Sequence, residues 1–201
     1  MLTTKEAISR RRSIRKFKPE PIPPEHLTEI LEAARQAPSG CNAQPWRFKI
    51  VTDKDVKEAL ATAAFNQAFI GQAPAVIVCC ADIKGYLEGT ASGIQDLGKI
   101  GAIEGTIIQV LEKRAARTRA MSMEQLGPII AFNVAIAIEH MVLRALDFSL
   151  GTCWIRLLDG PAVNELFGWD ESLYTVALLP IGYPAEAPGP RKRIPLDDML
   201  L

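Results

Sequence analysis

The run Ala75 to Ala81, Ala-Val-Ile-Val-Cys-Cys-Ala, constrains the fold more than any other part of this chain. It is unbroken by charge, rich in Val and Ile, and too short for a buried helix. Such a run reads as a central strand covered on both faces. Tyr174 to Ile181 repeats the pattern near the other end, after a turn-rich segment around Gly168.

Helical patterns lie between and before these strands. Residues 3–11 read as a short helix capped by Thr3 or Thr4. Pro19, Pro21, Pro23 and Pro24 form a rigid connector, and Pro24 suits the first turn of a helix from Glu25 to Gln36. Leu27, Ile30, Leu31 and Ala34 share its apolar face, and Pro38-Ser39-Gly40 ends it. Arg47 to Val51 reads as a strand and Lys54 to Ala64 as a helix. Ile129 to Leu146 is the most apolar stretch, but Asn133, Glu139, His140 and Arg144 interrupt it, which suits a buried helix rather than a membrane span. Glu139 and Arg144 are poorly spaced for pairing along one helix, so partners across a subunit boundary are expected. The pattern is α+β, helices on a mixed sheet, in one domain over residues 1–201. Segment 84–125, with its glycines and then Lys113, Arg114, Arg117 and Arg119, is either a solvated helical face or a lid or variable insertion.

The chain has 201 residues, and its 23 basic and 23 acidic groups leave no net charge. Overall electrostatics therefore point to neither nucleic acid nor an anionic membrane as partner. The four cysteines, Cys41, Cys79, Cys80 and Cys153, form no CxxC pair, and there are only two histidines. Buried reduced thiols are expected rather than a metal site. No apolar segment follows the first basic residues in the manner of a signal peptide, and a cytoplasmic location is expected.

Against this neutral background, Arg10-Arg11-Arg12-Ser13-Ile14-Arg15-Lys16-Phe17-Lys18 is a local excess of positive charge. Arginines beside a hydroxyl and free backbone N–H groups suit a phosphate dianion. Read alone, the run equally suits a solvated segment or a nucleic-acid arm. Ala37-Pro38-Ser39-Gly40-Cys41-Asn42-Ala43-Gln44-Pro45-Trp46 is a polar turn between helix and strand, a common place for ligand contacts or simply a tight connector. Gly151-Thr152-Cys153-Trp154-Ile155 can line a planar ligand or only pack. Pro190-Arg191-Lys192-Arg193-Ile194-Pro195 is basic and fenced by prolines. It can approach the first cluster only with an anion between them.

In this order the four pieces resemble the nitroreductase family, over residues 5–196. The resemblance implies a nitroreductase-like α+β sandwich, with a central mixed or antiparallel sheet surrounded by helices, in an intertwined homodimer with FMN at the interface. It implies Arg11, Arg12, Ser13 and Arg15, closed by Arg191 and Arg193, around the FMN phosphate. Pro38, Ser39, Gly40 and Asn42 would approach the ring from the partner subunit. Asn66 would face the pyrimidine edge, and Trp154, Ile155 and Arg156 the other face. Arg156 departs from the pattern, since many relatives have glycine there. The implied activity is ping-pong transfer of hydride from NADH or NADPH to flavin N5, then to a small-molecule oxidant such as a nitroaromatic or quinone. Dehalogenation, flavin breakdown and dehydrogenation are the alternatives within the family, and a nucleic-acid module is the non-enzymatic one. With the cofactor carrying the chemistry, no catalytic triad is needed, and His26 and His140 read as structural.

Overall fold

The computed structural model describes residues 1–200. Its centre is a four-stranded sheet of β1 (Trp46–Val51), β2 (Ala75–Asp82), β3 (Gly151–Thr152) and β4 (Leu173–Gly182). The strand order is β1-β2-β4-β3 and every neighbouring pair is antiparallel. The two apolar runs thus form the middle strands, as expected, without being parallel. Coverage of both faces, not strand direction, explains the lack of alternation. Ile77, Cys79 and Ala81 point into one core, while Val76, Val78 and Cys80 point into the other. A bulge between Cys79 and Cys80 interrupts the register opposite Ala177 and Thr175.

Helices supply both layers. α1 (Thr4–Arg10) starts with a capping box between Thr3 and Glu6, and α2 (Pro24–Arg35) starts on proline. α3 (Lys54–Ala63) is capped by Asp53, and the one-turn α4 (Phe69–Gln72) leads into β2. α8 (Gly160–Phe167), capped by Asp159 and ended by Gly168 at φ 65°, covers the second core with α3. Neither α4 nor α8 is evident from periodicity, both being too short to show it.

The first core belongs to α2 and to α7 (Met123–Ala145). α7 begins with a capping box between Ser122 and Gln125 and carries Pro128 in its first turns. It is long and apolar enough to span a membrane by length and composition, yet Ile130, Val134, Ile138 and Met141 pack into the core. Burying each such side chain stabilises the fold by roughly 1.5–3 kcal/mol. The expected cross-subunit pairing of Arg144 is corrected by two bonds within the chain: it donates to Asp147 at 2.6 Å and to Glu29 at 3.0 Å. His26 stacks on Phe148 and the His140 Nδ1 lies 3.1 Å from the Ala33 carbonyl, so both are tied into packing.

Segment 84–125 is mostly helical. α5 (Ile83–Lys99) follows β2 directly, with Asp82 as its cap, and α6 (Gly105–Arg119) folds back on it. Two glycines let α5 sit on the Pro38–Trp46 connector. A β-carbon at Gly93 would stand 1.6 Å from the Cys41 carbonyl oxygen, and one at Gly89 would stand 2.6 Å from that of Ala43. α6 buries no residue.

Candidate functional site

The two basic clusters meet. Ile14 donates its N–H to the Thr152 carbonyl and Lys18 to that of Tyr183, while Ala185 donates back to Lys16. Residues 13–18 therefore run beside both β3 and the segment leaving β4. The approach is tight, because a β-carbon on Gly151 would fall 2.4 Å from the Ile14 side chain. The result is a cleft of about 410 Å³ lined by Arg11, Arg12, Ser13, Arg15, Arg191 and Arg193, with Glu186, Pro188 and Gly189. Every residue anticipated for a phosphate site is in it.

The charges of this cleft are incompletely matched. Arg12 uses Nη1 on the carbonyls of Ser9 and Arg11, while its Nε is closed off from solvent and has no partner. Glu186 is the one acid of the lining. Its carboxylate accepts from the backbone N–H groups of Arg15 at 2.5 Å and Lys16 at 3.1 Å. The sequence offers a faint signal for it, a lone acid ahead of a basic tail. Beneath the cleft, burial pushes the Cys153 thiol up, with Arg15 and the Ser13 hydroxyl opposing.

A second group lies along β4. Ile155 exchanges both backbone hydrogen bonds with Leu178, and Cys153 donates to the Pro180 carbonyl. Cys153 and Ile155 fill the second core, whereas Trp154 turns to the opposite side, where its indole Nε1 is shut from solvent without a partner. Arg156 is exposed. Phe65 and Asn66, both at positive φ, make a turn pinned to this segment: Gln67 donates to the Leu157 carbonyl at 3.2 Å, and Asp159 to that of Ala63 at 2.8 Å. Asn66 and Trp154–Arg156 are thus on neighbouring strands of chain.

The Pro38–Asn42 turn stands apart from the arginine cleft, sharing none of its lining. Gly40 donates to the buried Asn133 side chain at 2.9 Å, and the Ser39 hydroxyl accepts from Gln44. Cys41, Asn42 and Gln44 all have φ near 50° (50°, 52° and 49°), a conformation that costs energy and persists because Asn133 and α5 hold it. Cys79, Cys80 and Cys153 are buried as expected, but Cys41 is only partly so.

This architecture and order of motifs match known proteins. Residues 8–183 fit the model of the nitroreductase family. An NADH dehydrogenase of Thermus thermophilus is 34% identical over the whole of this chain and 96% of that protein. An iodotyrosine deiodinase of Thermotoga neapolitana is 26% identical, over 96% of this chain and 92% of that one. The structure of a nitroreductase-like protein in complex with FMN, from Exiguobacterium sibiricum, is 27% identical with a TM-score of 0.79, covering 99% of this chain and 96% of that one. The chain belongs to the nitroreductase family, with that family's α+β fold.

Proposed function

We propose that this chain is an FMN-dependent oxidoreductase that draws electrons from NADH or NADPH and delivers them to a small nitroaromatic or quinone by a ping-pong cycle. The observation that carries the reading is the arginine cleft with its unpartnered, solvent-shielded Arg12 Nε. A buried donor without an acceptor costs about 1–3 kcal/mol. A phosphate oxygen supplies that acceptor and relieves the mutual repulsion of Arg11, Arg15, Arg191 and Arg193. The FMN phosphate fits the donor set, and the FMN-bound relative supports the cofactor's identity.

The remaining residues divide the work. Arg11, Arg12, Ser13 and Arg15, with Arg191 and Arg193, hold the phosphate. Asn66 would meet the pyrimidine edge of the ring, and the backbone of Trp154, Ile155 and Arg156 would approach one face. Pro38, Ser39, Gly40 and Asn42 reach the ring of the other subunit in a homodimer. Exposed Ile129 and Phe132, on α7, and Ile8 on α1 supply apolar surface for that interface. Bound FMN supplies the two-electron redox centre, and the protein supplies position, electrostatics and exclusion of water. Segment 84–125, chiefly α6, forms the lid.

The test is the absorbance spectrum of the purified protein, followed by anaerobic titration with NADH and with NADPH. A flavin spectrum bleached by either nucleotide is expected. Colourless protein that also fails to bind added FMN overturns the reading. Similarity to the deiodinase supports a second reading, reductive removal of halide by the same flavin. Iodide release from an iodinated phenol, compared with nitroreduction, separates the two.

A further inference from the structure

α5, α6 and the Gly40–Cys41 turn enclose a second cavity, of about 300 Å³, that shares no residue with the arginine cleft. That volume is at the small end of ligand pockets and suits a single-ring molecule. Tyr86, Leu87, Ile94 and Leu111 make its walls apolar. Two polar groups break the apolar lining in a way the fold itself does not use. The Thr90 hydroxyl oxygen is closed off from solvent and makes no hydrogen bond. Arg114 lies at the rim and pairs with no carboxylate among the described residues. Its charge is felt inside: burial raises the Cys41 thiol and Arg114 opposes that rise. No acidic side chain lines the cavity.

An apolar chamber with an unused hydroxyl, one unpaired guanidinium and no acid is complementary to a flat apolar molecule bearing one negative charge. We infer that this pocket takes a small aromatic carboxylate, its ring against Tyr86, Leu87, Ile94 and Leu111 and its acid group on Arg114, so that the preferred oxidants are aromatic acids. The redox part rests on the flavin reading above, since Gly40 and Cys41 belong to the turn placed at the ring. The binding part does not. For a nitro acid the first two-electron turnover converts R–NO2, NAD(P)H and a proton into R–NO, NAD(P)+ and water.

Calorimetry on the purified protein with benzoate and with benzamidine, matched in shape and opposite in charge, tests the pocket directly. Benzoate is expected to bind and benzamidine not. Arg114→Met should weaken benzoate about fivefold, the scale of one exposed ion pair, and Arg114→Lys should restore part of the loss. Equal binding of both probes, no benzoate binding in the millimolar range, or an unaltered Arg114→Met overturns the inference. In turnover, the ratio of kcat/KM for 4-nitrobenzoate over nitrobenzene should exceed one and fall about fivefold in Arg114→Met. If the flavin reading is wrong, neither nitro compound is reduced, yet calorimetry still reports on the pocket. If only the pocket inference is wrong, both are reduced without preference.

Discussion

Glu186 and Arg15 are joined by a 2.5 Å hydrogen bond in which the carboxylate accepts the backbone N–H, and the same oxygen takes the N–H of Lys16. An acid thus sits on backbone donors inside a cleft otherwise lined by arginines. It latches the two basic segments together and also opposes the charge of any phosphate that enters. Glu186→Gln keeps an oxygen for both N–H groups and removes the charge. FMN should then bind up to about fivefold tighter, on the scale of an exposed charge pair, while riboflavin, which lacks phosphate, should be unaffected. Fluorescence titration of the flavin-free protein with both ligands checks this; equal FMN affinities for variant and parent would refute it.

Removing the clamp's donors has the opposite sign. Arg11→Ala with Ser13→Ala takes away one charged and one neutral donor. At roughly 1.5–3 kcal/mol for a hydrogen bond to a charged group, retention of FMN through gel filtration should fall at least tenfold. The circular dichroism spectrum should stay that of the parent, because neither side chain belongs to either core.

Gly93→Ala probes the seat of α5. The added methyl would stand 1.6 Å from the Cys41 carbonyl, a backbone atom that cannot swing aside. Such overpacking costs about 1–3 kcal/mol. A lower melting temperature is expected, together with faster proteolysis of the Pro38–Trp46 connector that α5 supports. An unchanged melting curve would show that the helix is not seated there.

Asp147 carries a pH dependence. Burial works to raise its carboxyl, but hydrogen bonds from the Leu2 N–H and from Arg144, with the charges of Arg144 and the N-terminal ammonium, hold it below the ordinary value of 3.8. A carboxyl with a depressed folded-state pKa stabilises above the ordinary value and loses that contribution as pH falls through the folded one. The difference in melting temperature between the parent and Asp147→Asn should therefore be constant near neutrality and shrink below pH 3.8.

Phe132 tests the assembly. It is 72% exposed on a helix whose other large side chains are mostly buried. On the proposed homodimer, Phe132→Glu should halve the mass seen by light scattering while leaving the fold intact, since the side chain belongs to neither core of its own chain; an unchanged mass would refute that interface.

The middle strands were legible in the residues because enclosure on both faces leaves an unbroken apolar run, and α2 because its opening proline, its apolar face and the Pro38-Ser39-Gly40 stop agree. β3 was not, since Gly151–Thr152 is too short for any period, and the order β1-β2-β4-β3 depends on pairings that no local pattern encodes. Glycines in segment 84–99 argue locally against helix. They are nonetheless what allows α5 to lie against the carbonyls of Cys41 and Ala43, so contact outweighed propensity. The meeting of the two arginine segments was readable only through an assumed anion between them, and the structure does bring Arg191 and Arg193 beside Arg11, Arg12 and Arg15. Glu186 was hidden because an acid before a basic tail looks like charge balance until backbone N–H groups are seen on it. Arg144 was misassigned for a related reason: Glu29 lies 115 residues away and adjoins it only once α2 packs on α7.

The union of residues 13–18 with the segment beyond β4 also bears on synthesis. The Arg15–Glu186 bond spans 171 residues, and chains fold from the N-terminal end as they leave the ribosome. The nascent protein can gather its first seven helices and the β1–β2 pair early, but the middle strand β4, and after it the arginine cleft, wait for the last residues. A message or protease that removes the last basic segment would leave both cores whole and strip Arg191 and Arg193 from the cleft.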